Sequence, residues 1–161
     1  MSNRAMPTAQ EIAKLLSDLL DREVTTKTLP PAALGNGPAL LASYGEAGGE
    51  VVALLVCDVA AAASLGAALS MLPAGRAEES VRAGALDEFV MENFREICNV
   101  VTRLVNRPVA PGMPLQTVTL REVDIRTAGD IAALTAQFRA RIDVEVNVPG
   151  YQIGSMSLLT F

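Results

Sequence analysis

With 161 residues, half of them hydrophobic and 19% charged, the chain has the length of one domain and the composition of a packed one, which excludes disorder as its default state. Its formal charge of −5 does not draw a phosphate backbone and argues against general nucleic-acid binding. It contains no histidine, which removes Ser-His-Asp and Cys-His nucleophile systems outright, together with the commonest metal ligand.

The opening residues, MSNRAMPTAQEI, hold no apolar run of the secretory kind. No later stretch reaches the roughly 18 apolar residues of a membrane span. A cytoplasmic protein is therefore expected. Thr8 and Glu11 stand at capping-box spacing after Pro7, and Ile12, Leu15, Leu16, Leu19 and Leu20 recur at helical intervals, with Asp21-Arg22-Glu23 closing the helix. Residues 24–38, rich in Thr, Pro and Gly, leave room for a brief strand over 25–29.

Residues 39–45 and 50–57 are apolar runs on either side of Glu46-Ala47-Gly48-Gly49, the pattern of a hairpin. Val51, Val52, Leu54, Leu55 and Val56 are close to continuous, as in a central strand. Asp58 suits the N-cap of an Ala- and Leu-rich helix over 59–72, ended by Pro73-Ala74-Gly75. Cys57 and Cys98 lie in apolar surroundings and read as two buried free thiols.

A second, longer helix is expected over 79–106, with a core stripe of Leu86, Phe89, Val90, Phe94, Ile97, Val101, Leu104 and Val105. Pro108, Pro111, Gly112 and Pro114 end it. Residues 115–125 form a plausible strand, and 127–135 are either a short helix or a crossing loop. Over 138–148 six apolar residues alternate with Arg139, Arg141, Asp143, Glu145 and Asn147, a strict period of two that puts the polar set on a wet face. After Pro149-Gly150, residues 151–160 return as the partner strand. The order is helix, two strands, two helices, three strands: a single α+β domain over 1–161, with a mixed or antiparallel sheet and long helices on one face. An exposed sheet edge is a candidate dimer contact.

On the long helix, steps of about 100° per residue bring Glu92, Glu96, Asn99 and Arg103 into one narrow stripe away from the core. A solvated helix face is ordinarily charged, so the row by itself says little. Two details stand out. Glu88, Glu92 and Glu96 are like charges at i, i+4, and Asn99 is a poor mid-helix residue; neither choice serves helix stability.

Glu96-Ile97-Cys98-Asn99, an acid and an amide at E-x-x-N spacing on an exposed face of a long helix followed by Pro-containing chain and strands, resembles the signature of the CheC/CheX/FliY group of chemotaxis phosphatases. The agreement in element order runs from about Ala39 to Thr160, and Tyr151 to Leu158 looks like that group's closing strand. Where the group often has Asp or Ser four residues before the Glu, this chain has Glu92. Larger residues follow Asn99 than is usual, and Pro114 stands nearer to it than the group's spacing. Glu11 and Lys14 occupy the spacing on the first helix, so a second site is not evident, which is similar to the single-site, homodimeric CheX type.

The resemblance implies hydrolysis of the aspartyl phosphate on a response regulator's receiver domain. Glu96 and Asn99 would be the catalytic pair: Asn99 would orient the attacking water and Glu96 would pair with the receiver's active-site lysine. Glu92 and Arg103 would flank them as partner contacts. The chain itself would need no cofactor, any Mg²⁺ being held by the receiver. Two other readings stay open: a noncatalytic CheX/FliM-like module that binds a response regulator or joins a motility assembly, and an unrelated α+β scaffold or small-ligand domain.

Overall fold

The computed structural model describes residues 6–30, 37–45, 50–105, 116–124 and 129–161. The first helix, α1 (Ala9–Leu20), starts where the capping signal puts it: the Glu11 N–H donates to Thr8 Oγ1 at 3.2 Å. Asp21 ends it in the left-handed region at φ 51°. Then come β1 (Thr25–Thr28), β2 (Pro38–Gly45), β3 (Val51–Asp58) and α2 (Val59–Leu69). Asp58 caps α2 by accepting from the Ala61 N–H at 2.8 Å.

Residues 79–105 do not form one helix. They divide between α3 (Ala74–Ala83) and α4 (Glu88–Val105), so among the described residues three helices, not two, stand between β3 and the next strand. Two local signals outweigh the apolar periodicity. Gly84, at φ 70°, turns the chain in a left-handed C-cap whose N–H reaches the Ser80 and Val81 carbonyls. Asp87 then starts a new helix by accepting from the Val90 N–H at 2.9 Å. Leu86 is buried in the linker, but Phe89, expected in the core stripe, stands in the first turn of α4 about 80° from the line of Ile97 and is 53% exposed.

The chain ends with β4 (Gln116–Asp124), α5 (Gly129–Thr135), β5 (Ala140–Asn147) and β6 (Gly154–Thr160). The turn residues 46–49 and the prolines at 108, 111 and 114 lie outside the described residues. The six strands form one sheet in the order β1-β5-β6-β3-β2-β4, with every pair antiparallel. Thr25–Thr28 pairs with the far end of the sequence, Thr25 opposite Asn147, so the sheet ties the first elements to the last.

The main core lies between one sheet face and α1, α2 and α4. Leu40, Ala42 and Tyr44 of β2, Leu55 and Cys57 of β3, and Val144 and Val146 of β5 point into it. Their alternates Ala39, Leu41, Leu54 and Val56 form a smaller cluster on the other face with Leu159 and Ile131 of α5. This explains the near-continuous apolar runs of β2 and β3: both faces are buried there. It also corrects the expectation of a wet second face at Arg141 and Asp143, while Arg139 and Asn147 are exposed as expected. No helix among the described residues is long and apolar enough to cross a membrane.

Candidate functional site

α4 is held to the body of the molecule on three sides, and its outer face is what remains. Val90, Phe94, Ile97, Cys98, Val101, Leu104 and Val105 are buried, a stripe at three- and four-residue intervals that sets which side faces the core. At the start, Asp87 caps the first turn and is itself paired with Arg76 at 2.9 Å. The Val90 N–H and then the Arg76 guanidinium hold its carboxyl below the usual Asp range.

Along one flank, α2 approaches so closely that a Cβ on Gly66 would stand 2.7 Å from the Val90 carbonyl oxygen and 2.9 Å from Val90 Cγ1. Only glycine fits there. The Asn93 amide spans the same contact, donating to the Gly66 carbonyl at 2.8 Å and to Ser70 Oγ at 2.9 Å.

From beneath, Tyr44 of β2, fully buried, donates its hydroxyl to the Cys98 carbonyl at 2.9 Å. That bond anchors the backbone one residue before Asn99. Thr102 Oγ1 donates to the Asn99 carbonyl at 2.6 Å, tying down the next turn. None of these positioning residues was legible as such. Asn93 and Tyr44 act across elements, and only Asp87, a capping residue inside the expected helix, left a local signal.

On the outer face Glu92, Glu96, Asn99 and Arg103 are all exposed, in the order expected. Glu96 and Asn99 are three residues apart, so their Cβ atoms are neighbours at about 5–6 Å. Among the described residues neither side chain makes a hydrogen bond or ion pair. Glu92 differs: its carboxylate lies 3.7 Å from Arg95 Nε, with both side chains largely in solvent. Such a pair contributes little and leaves Glu92 free to exchange partners. The row thus offers an acceptor, an amide that both donates and accepts, and guanidinium donors.

Chemistry elsewhere is less available. Cys57 and Cys98 are buried and unpaired by disulfide, as expected. Burial pushes the Cys98 thiol up to about 12 and Cys57 well above its ordinary value, so neither supplies a thiolate at neutral pH. Arg141 and Asp143, expected on a wet strand face, are instead joined by two bonds of 2.8 Å, with each side chain only 10% exposed. Ser157 Oγ donates to the same carboxylate. Arg141 stands opposite Leu159 of the second cluster across the β5–β6 ladder, and its guanidinium lies 5.8 Å over the Phe138 ring.

No family model matches the chain, and no curated protein matches its sequence. Solved structures do. The chain is similar to Thermotoga maritima FliY, at 13% identity and TM-score 0.58, over 92% of this chain and 81% of that one. FliM in a FliM–SpeE complex from H. pylori matches at 12% identity and TM-score 0.61, over 94% and 80%. A CheX–CheY–BeF3–Mg²⁺ complex from Borrelia burgdorferi matches at 14% identity and TM-score 0.55, over 91% and 90%. The fold implied by the resemblance to the CheC/CheX/FliY group is the fold observed: α+β, with an antiparallel sheet and the long helices on one face.

Proposed function

We propose that this chain is a CheX-like phosphatase that hydrolyses the aspartyl phosphate of a response-regulator receiver domain. The observation that carries the reading is the joint exposure of Glu96 and Asn99 on α4, with no partner for either side chain among the described residues. A polar pair with a structural role would be bonded within the chain, as Arg141 and Asp143 are. The fold supports the reading, because one solved structure that shares it is a CheX–CheY complex.

The chemistry asks little of the chain. An acyl phosphate is labile, so catalysis is mainly the positioning of a water for in-line attack. The Asn99 amide suits a neutral water: its oxygen accepts a hydrogen bond from the water while its NH₂ donates one to a phosphoryl oxygen. Attack forms a new P–O bond as the aspartyl P–O bond breaks, leaving the receiver's carboxylate and inorganic phosphate, with the water's protons on the phosphate or passed to solvent. Glu96 pairs with the receiver's lysine in a charge-assisted bond and sets the docking geometry. Glu92 and Arg103 flank the contact. Mg²⁺ belongs to the receiver, and the chain acts as a homodimer.

Decay of a phosphorylated receiver tests the reading. The native chain accelerates it and Asn99→Ala abolishes the acceleration. Unchanged decay across a panel of receivers sinks it. A second reading, a noncatalytic module that binds a response regulator or joins a motility assembly, is favoured by the match to FliM, which includes a FliG–FliM complex from H. pylori at TM-score 0.56. Binding without accelerated decay supports this alternative.

A further inference from the structure

The candidate row has an apolar member that helical periodicity alone assigned to the core. Phe89 precedes Glu96 by seven residues, two helical turns, so it lies within about 20° of the same line along α4. It is 53% exposed, one of few large hydrophobic side chains among the described residues to be so. Its neighbours one turn on are Glu92 and Asn93. Asn93 is held by Ser70, and directly after Ser70 stands Met71, 81% exposed. Phe89 therefore adds apolar surface at the amino-terminal end of the polar row.

On α4 the exposed charges nearest Phe89 are Glu88 beside it and Glu92 one turn on, the latter 3.7 Å from Arg95, with Glu96 two turns away and Arg103 beyond. An apolar side chain flanked by carboxylates fits an apolar pocket rimmed by basic groups. It does not fit an anionic membrane or nucleic acid. A second copy meeting this face by a two-fold axis would bring like carboxylates together.

We infer that Phe89 is the apolar anchor of the docking face, seating in an apolar pocket on the receiver domain beside the lysine that Glu96 meets. This rests on the reading that the partner is a receiver. It assigns a separate task within that site: Phe89 sets affinity, while Asn99 sets the rate of the chemical step. Buried aromatic anchors of this kind carry a disproportionate share of interface energy, and a charged rim governs approach.

The test uses the full chain and a CheY-type receiver charged with beryllofluoride and Mg²⁺, with binding followed by titration calorimetry, alongside the decay assay on phosphorylated receiver. Phe89→Ala is expected to weaken binding about 10-fold and to raise the half-saturating concentration in the decay assay equally, with the maximal rate unchanged. Phe89→Leu recovers most of the loss. Asn99→Ala loses rate by far more than it loses affinity. Because Phe89 is half exposed, its truncation leaves the core intact. Native affinity in Phe89→Ala, with decay still accelerated by the native chain, overturns the inference and leaves the phosphatase reading standing. Weaker binding by Phe89→Ala with no acceleration by the native chain upholds the anchor and removes the catalysis. No receiver binding by the native chain, or a changed oligomeric state in Phe89→Ala, overturns the anchor as drawn.

Discussion

The outer face of α4 and the second face of the sheet both carry charged and polar side chains, and the molecule uses them in opposite ways. On the sheet, Arg141, Asp143 and Ser157 are closed on one another, with the ion pair only 10% exposed. On α4, Glu96 and Asn99 are in water, and their side chains are bonded to nothing among the described residues. The first group is desolvated and must therefore be paired. The second incurs no such penalty and stays available to a partner. Charge in the sequence does not separate the two cases; burial does.

The comparison predicts opposite responses to mutation, beginning with the largest. Asn99→Ala is expected to reduce receiver dephosphorylation on the order of 100-fold, while chemical denaturation shows stability within about 0.5 kcal/mol of native. Asp143→Ala should do the converse. It removes both 2.8 Å bonds from the Arg141 guanidinium and the bond from Ser157 at a place only 10% exposed, and is expected to cost about 3 kcal/mol, read as a lower urea midpoint at unchanged slope, with the rate per folded molecule kept. Loss of stability in Asn99→Ala, or of rate in Asp143→Ala, would break the contrast.

Gly66→Ala tests whether the α4 face depends on the helix behind it. Its Cβ would meet the Val90 carbonyl oxygen at 2.7 Å. Overpacking of about 1–3 kcal/mol is expected, with a fall in rate as α4 shifts.

Asp87→Ala removes the α4 cap at a cost of about 1 kcal/mol. Asp87 ionises below its ordinary value in the folded state, chiefly through the Val90 N–H bond. Its contribution is therefore present above the unfolded-state pKa and lost as pH falls through the folded one. The stability gap between native and Asp87→Ala should be full at pH 7 and close in acid, read by denaturation at a series of pH values. The smallest effect belongs to Glu92→Gln. It breaks an exposed 3.7 Å pair and should change stability by less than about 0.5 kcal/mol.

Much of this was legible because the signals were local. The Thr8 cap, the Asp58 cap, the apolar runs of β2 and β3 and the alternation of β5 each settle an element from its own residues. So does the 100° step that brings Glu96 and Asn99 onto one exposed line. The expected long helix began too early, because its apolar stripe belongs to α4 and the linker while α3 buries only Ala77 and Ser80. Gly84 and Asp87 are the stop and start that divide the two helices. Phe89, in the first turn after that start, stands to one side of the buried stripe and is on the surface.

By itself, then, the sequence determined most element types, though neither α3 nor α5 as a helix, together with the two buried thiols and the outward polar row. Those depend on helical and strand periods, capping chemistry and apolar content, all of which act over a few residues. Tertiary structure decided the rest. It set the strand order that joins Thr25–Thr28 to β5, and it gave the sheet its second buried cluster. It also closed Arg141 on Asp143 and provided the Tyr44 and Gly66 contacts that hold α4. The reason is physical. Whether a polar side chain is paired, and whether an apolar one is covered, depends on what another element brings within a few ångströms, and no local pattern along the chain carries that distance.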